Sequence, residues 1–117
     1  MADYTSFMAT DKYLKDNPAV VQAWTDAIAK GMKWTESAPI SELVAVLAPY
    51  FPGISPEAMT AAAERYRRLR IWKSSPVIDA SALEKFQDIL VQGNVLDAGK
   101  RVKFTDLYVN DFAAKAK

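Results

Sequence analysis

Proline follows a helix-capping residue three times in this chain, at Asn17-Pro18, Ser37-Ala38-Pro39 and Ser55-Pro56. Asn and Ser side chains accept the orphan N–H groups of a first helical turn, and Pro there forfeits no needed donor. A proline further inside would break the same helix. Each pair therefore reads as a helix start, and the chain as a series of short helices with short connectors. Thr10 caps a brief turn over 11–16, and helix one is predicted over 18–34. Val20, Trp24, Ala27, Ile28 and Gly31 recur on one face of it, with Gln22, Asp26, Lys30 and Lys33 opposite. Ser37 opens helix two, whose apolar stripe is Ile40, Leu43, Val44, Leu47 and Tyr50, until Pro52-Gly53 stops it. Ser55 opens helix three, with Met59, Ala62, Ala63, Tyr66 and Leu69 inward. Residues 70–78 form a connector anchored by Trp72. Asp79 caps helix four, which carries Leu83, Phe86, Ile89 and Leu90 and ends at a left-handed Gly93-Asn94 stop. After a basic loop over 95–103, two short helical pieces near 104–109 and 111–116 are pinned by Phe104, Leu107, Tyr108 and Phe112.

Ahead of these helices, residues 4–9 (YTSFMA) are aromatic-rich and weakly alternating, the pattern of a strand. No second strand pattern follows, and a lone strand leaves its backbone groups unpaired. The expected fold is all-α: four main helices, a short strand-like N-terminal arm and a broken C-terminal helix, in a single helical domain over 1–117. The orphan arm suggests that these residues complete their fold only with polypeptide supplied from elsewhere.

Composition narrows the chemistry. Half of the 117 residues are apolar, enough for a core, and the formal charge is only +1 with both signs interleaved. That is not the one-signed field that nucleic-acid binding needs. The sequence contains no cysteine and no histidine. Disulfides, thiolate chemistry, Ser-His and Cys-His nucleophilic pairs and the common zinc sites are therefore excluded. Residues 1–15 lack the basic start and apolar core of a secretory leader, and no window approaches a membrane-spanning length.

The dense basic run Arg65-Tyr66-Arg67-Arg68-Leu69-Arg70 could meet phosphates, but cations also complement a helix C-terminus, and the solvated helix end is the stronger reading. Glu36, Glu42 and Glu57 are expected at or beside helix starts, where carboxylates balance the dipole; with Glu64 they show no metal-loop spacing. Trp24, Trp34 and Trp72 could line an aromatic cage, yet their positions favour core packing or core edges. Gly31, Gly53, Gly93 and Gly99 are isolated and form no phosphate cradle. No catalytic, metal or cofactor residue is assigned, and the ligand-binding residues are left unknown.

Four segments taken together carry a family resemblance: ATDKYLKDNPAVVQAW at 9–24, LAPYFPGIS at 47–55, ERYRRLRIWKSSPVI at 64–78 and LYVNDFAAKA at 107–116. In order and spacing the chain resembles the C-terminal portion of periplasmic solute-binding proteins of ABC transporters. The branch is that of nitrate, sulfonate, taurine and thiamine-precursor binders. The resemblance implies a two-lobed α/β parent, closing on its ligand about a hinge, of which this chain is a C-terminal fragment. It implies a non-enzymatic role without cofactor, with a small solute and a membrane permease as partners of a periplasmic or cell-surface parent. A branch that makes the thiamine pyrimidine uses a histidine of its own, which this sequence lacks. The alternative is a free-standing helical interaction module, a homo-oligomer joined through its N-terminal arm.

Overall fold

The computed structural model describes residues 6–117. Its helices are α1 (Asp11–Asp16), α2 (Pro18–Ser37), α3 (Ile40–Leu47), α4 (Pro56–Arg68), α5 (Ala80–Gln92) and α6 (Phe104–Leu107), with single 3-10 turns at Ala48–Tyr50, Ala98–Lys100 and Ala113–Lys115. The all-α expectation holds. The expected strand does not form: residues 6–9 are irregular, while positions 4 and 5 lie outside the described residues. The absence of any second strand among the described residues is the physical reason, since a strand exists only against a partner.

Caps set most of the boundaries. The Thr10 Oγ1 accepts the Tyr13 N–H at 3.2 Å, the Ser55 Oγ accepts that of Ala58 at 3.2 Å, and Asp79 Oδ1 accepts that of Ser81 at 2.8 Å. Ser37 departs from its expected role. Its hydroxyl donates to the Lys33 carbonyl at 2.9 Å and the Ala38 N–H donates to the Trp34 carbonyl, so Ser37 closes α2 instead of opening α3. Pro39, held at φ −53° and ψ 138°, is the residue that separates the two helices. The left-handed stop after α5 falls on Asn94, at φ 55°, and not on Gly93; Asn tolerates that region because its short polar side chain bonds locally.

The chain divides into two compact units. One comprises the chain up to Ala23 with Val77–Ala116; the other is Trp24–Pro76 with Lys117. The Trp24–Pro76 unit is built on α3 packed against α4. Leu43, Val44, Met59 and Ala63 are buried there, backed by Ile40, Leu47, Ala48 and Trp72. Trp72 meets Tyr66 edge-on, with ring centroids 5.6 Å apart.

In the other unit the inward face of α5 is Ala82, Leu83 and, unexpectedly for a polar residue, Gln87. Two side-chain amides there pair with backbone as a neighbouring strand would. Gln87 accepts the Val102 N–H at 2.8 Å and donates to the Val102 carbonyl at 3.1 Å. Asn110 does the same to Ile78, at 3.0 and 2.8 Å. Gln22 adds a donor bond to the Phe112 carbonyl at 3.1 Å. A tail with little regular structure is thus tied down by long-range polar contacts, with the Phe104 and Tyr108 rings in tilted contact, centroids 5.3 Å apart.

Several expected inward residues point out. Val20 and Trp24 on α2, Tyr50 after α3, Tyr66 and Leu69 at the end of α4, Ile89 on α5 and Leu107 on α6 are all exposed. On α2 the inward face carries Val21, Thr25, Ile28, Ala29, Met32 and Thr35, of which Ala29 is fully buried. Both faces of α2 satisfy the helical period, so side-chain bulk alone decides a reading from sequence, and it selects Trp24. Close packing instead admits the small Ala29.

Glu57 illustrates what the caps do electrostatically. A hydrogen bond from backbone N–H and a second from Ser55 hold its carboxyl below the ordinary 4.5. A depressed folded-state pKa makes the contribution complete above the unfolded value, and it disappears as pH falls through the lowered folded value. Carbon-detected NMR titration is expected to place Glu57 below 4.5, and Ser55→Ala to move it upward. An unchanged titration in that variant would separate Glu57 from the cap.

Candidate functional site

The most chemically loaded surface of the Trp24–Pro76 unit is a cleft lined by Glu36, Arg67, Arg70, Trp72 and Ser74. It is built by the end of α4. Arg67 lies one turn beyond Ala63 and two beyond Met59, so it continues the buried face of that helix (residues i, i+4, i+8). Its Nη2 donates to the Thr35 carbonyl at 2.7 Å, one of the last four carbonyls of α2, which have no partner inside their own helix. Its Nε is buried without a hydrogen-bond partner.

Beyond Arg67 the chain turns sharply. Leu69 N–H donates to Arg65 O, Arg70 N–H to Arg67 O, and Ile71 N–H to Tyr66 O, while Arg70 adopts φ 50°. Glycine is the common occupant of that left-handed position; a side chain there costs about 1 kcal/mol. The turn carries the chain to Trp72, which packs on the core cluster.

The electrostatics of the cleft are nearly balanced. Two guanidinium groups share the lining with the Glu36 carboxylate, beside the partially negative C-terminal ends of α2 and α4, each equivalent to about half a charge. Arg67 therefore acts first as a cap for α2. The Arg67 Nε is shut off from solvent, so it offers no donor to a group in the cleft, and the cleft lacks the strongly positive field of a dedicated phosphate site.

The residues singled out from the sequence are mostly dispersed. Of the basic run, Arg67 and Arg70 reach the cleft, whereas Arg65 and Arg68 are exposed at the helix end. Glu36 sits in the last turn of α2 and not near a helix start, because α2 runs on to Ser37. Glu42 and Glu57 do occupy first turns, and Glu64 is exposed on α4. Trp24 is exposed to 55% and so lies outside the core stripe that spacing suggests, while Trp34, ten positions on along α2, is exposed to 37% near the end of the helix. Gly53 has φ 97° and serves the turn before α4. The inward role of Arg67 went unread because a charged residue is discounted when an apolar stripe is traced; its spacing from Met59 and Ala63 was the available signal. In the other unit a shallower groove runs beside α5, lined in part by Gln87, Asp88, Arg101 and Phe104, with Arg101 paired to Asp88. Among the described residues no group of three or more carboxylates could hold a metal ion, and no helix is long and apolar enough to cross a membrane.

No protein-family profile matches the chain, and no solved structure does. The chain is similar to a protein of Bacillus subtilis (strain 168) named "Putative binding protein YtlA", with 26% identity over 112 residues. That alignment takes in 96% of this chain and 33% of the relative, so the chain spans about a third of the relative's length.

Proposed function

We propose that these residues form the C-terminal helical segment of an ABC-transporter solute-binding protein of the nitrate, sulfonate and taurine type. The observation that carries the reading is the similarity, along nearly the whole chain, to a protein named as a binding protein. The all-helical architecture fits the expected tail of such a parent, and the absence of cysteine and histidine from these residues agrees with a role in capture rather than catalysis. The parent, periplasmic or at the cell surface, closes on a small oxoanion or sulfonate by hinge motion and delivers it to a membrane permease. The segment contributes scaffold, and most of the ligand contacts come from the rest of the parent.

Isothermal calorimetry tests this with nitrate, taurine and short alkyl sulfonates. The 117 residues alone are expected to give no measurable heat at millimolar solute, and a parent containing them to bind one of these solutes at micromolar or tighter. Tight binding by the 117 residues alone, or none of these solutes binding the parent, would overturn the assignment.

A further inference from the structure

From Val95 to Ala116 the chain buries no side chain: Leu96, Phe104, Tyr108 and Phe112 are half-buried, and most of the remainder is exposed. Its regular structure amounts to three single turns, Ala98–Lys100, Phe104–Leu107 and Ala113–Lys115. Turns so short do not hold themselves together in water, because the cost of starting a helix exceeds what one turn returns. The stretch is therefore ordered by what it docks on.

What docks it is polar. Three side-chain amides act as clasps: Gln87 takes both backbone groups of Val102, Asn110 takes both of Ile78, and Gln22 donates to the Phe112 carbonyl. The Arg101–Asp88 ion pair is exposed and adds little. Leu83 and Gln87 on α5 line one groove with Val102 and Phe104, so lifting the stretch away opens that groove.

We infer that Val95–Ala116 is a strap that undocks as one unit, its clasps letting go together, and bares the groove beside α5 while α3 and α4 stay folded. Few buried apolar contacts and solvent-exposed backbone hydrogen bonds define a segment that opens below the global free energy. The link between the Val102 and Asn110 clasps, residues 103–109, is itself bonded, Asp106 N–H to Lys103 O and Tyr108 N–H to Phe104 O, and Ala114 N–H continues the chain of bonds to Asn110 O. The conformational entropy that drives opening is recovered for this link only when both of its ends are free. By contrast α3 and α4 share the Leu43, Val44, Met59 and Ala63 cluster, to which the strap contributes nothing. The strap is independent of the solute proposed above.

Native-state amide exchange followed by NMR on the 117-residue chain tests this. Ile78, Val102, Tyr108 and Ala114 are expected to share one protection factor, at least about tenfold below that of the α4 interior. Gln87→Ala is expected to lower all four by at least about thirtyfold, or to the limit of an unstructured chain, although the hydrogen bonds of Gln87 reach Val102 alone among them. Asn110→Ala is the reciprocal case and should lower protection at Val102 by a similar factor. Should Gln87→Ala lose helix by circular dichroism, the Asn110 variant takes its place. An effect of Gln87→Ala confined to Val102 overturns the inference, because the clasps then open separately. So does a wild-type chain in which the strap amides are protected as strongly as the α4 interior.

Discussion

Leu43→Ala is expected to lower the stability of the Trp24–Pro76 unit by about 3–4 kcal/mol, the cost of a buried Leu-to-Ala cavity. Leu43 is the largest side chain that is essentially fully buried among the described residues, at 2% exposure, and its cluster holds only three other buried members. A unit of this length has a stability of roughly 3–8 kcal/mol at ordinary values per residue. The substitution therefore removes from about two fifths to all of it, and neighbouring small residues such as Ala63 cannot expand to fill the gap. Urea denaturation followed by tryptophan emission, which reports Trp24, Trp34 and Trp72 within the unit, should show the midpoint falling by about two fifths or more. A loss below about 1 kcal/mol would mean that α3 and α4 are not held by this cluster.

Gln87→Ala is expected to cost about 2–4 kcal/mol, because it strips the Val102 N–H and carbonyl of their partners together. Gln87 is only 6% exposed, and both of its bonds serve one residue fifteen positions away. Gln87→Glu tests the need for a neutral amide. The carboxylate still accepts from the Val102 N–H but sets a nearly buried charge against the Val102 carbonyl, so at neutral pH its loss of stability should be no smaller than alanine's. Hydrogen exchange at the Val102 amide supplies the local reading: fast in both variants, slowest in wild type. Equal protection in all three would show that the 95–103 segment is held by something other than this amide.

Both residues show where reasoning from the chain succeeded and where it could not. Leu43 lies in a stripe that periodicity found, and its burial follows from the apolar cost of exposure. Gln87 lies on a helix whose apolar residues were traced without it, because nothing local announces that an amide will find a backbone partner fifteen residues on. Arg67 repeats the lesson in the candidate cleft. Its position after Met59 and Ala63 was in the sequence, but its reason for facing inward, the unpaired Thr35 carbonyl, comes from another helix.

Faces were less legible than boundaries. The reading of α2 chose the side bearing Trp24, and the structure buries the side bearing Ala29. Capping at Thr10, Ser55 and Asp79 agrees with the sequence, because the bonds involved span two or three residues. Ser37 did not, since its hydroxyl had two helices to choose from and took the preceding one.

What the amino-acid sequence determined by itself is therefore local: the helical class, the short lengths of the helices, most of their starts and the stop before α4. These depend on dihedral preference and on hydrogen bonds within a turn, energies that each residue carries with it. Which face of each helix lies inward, which polar side chains are buried and which aromatics remain bare were decided only by the tertiary structure. Those outcomes depend on packing volume and on partners brought together from distant positions, and neither exists until the helices meet.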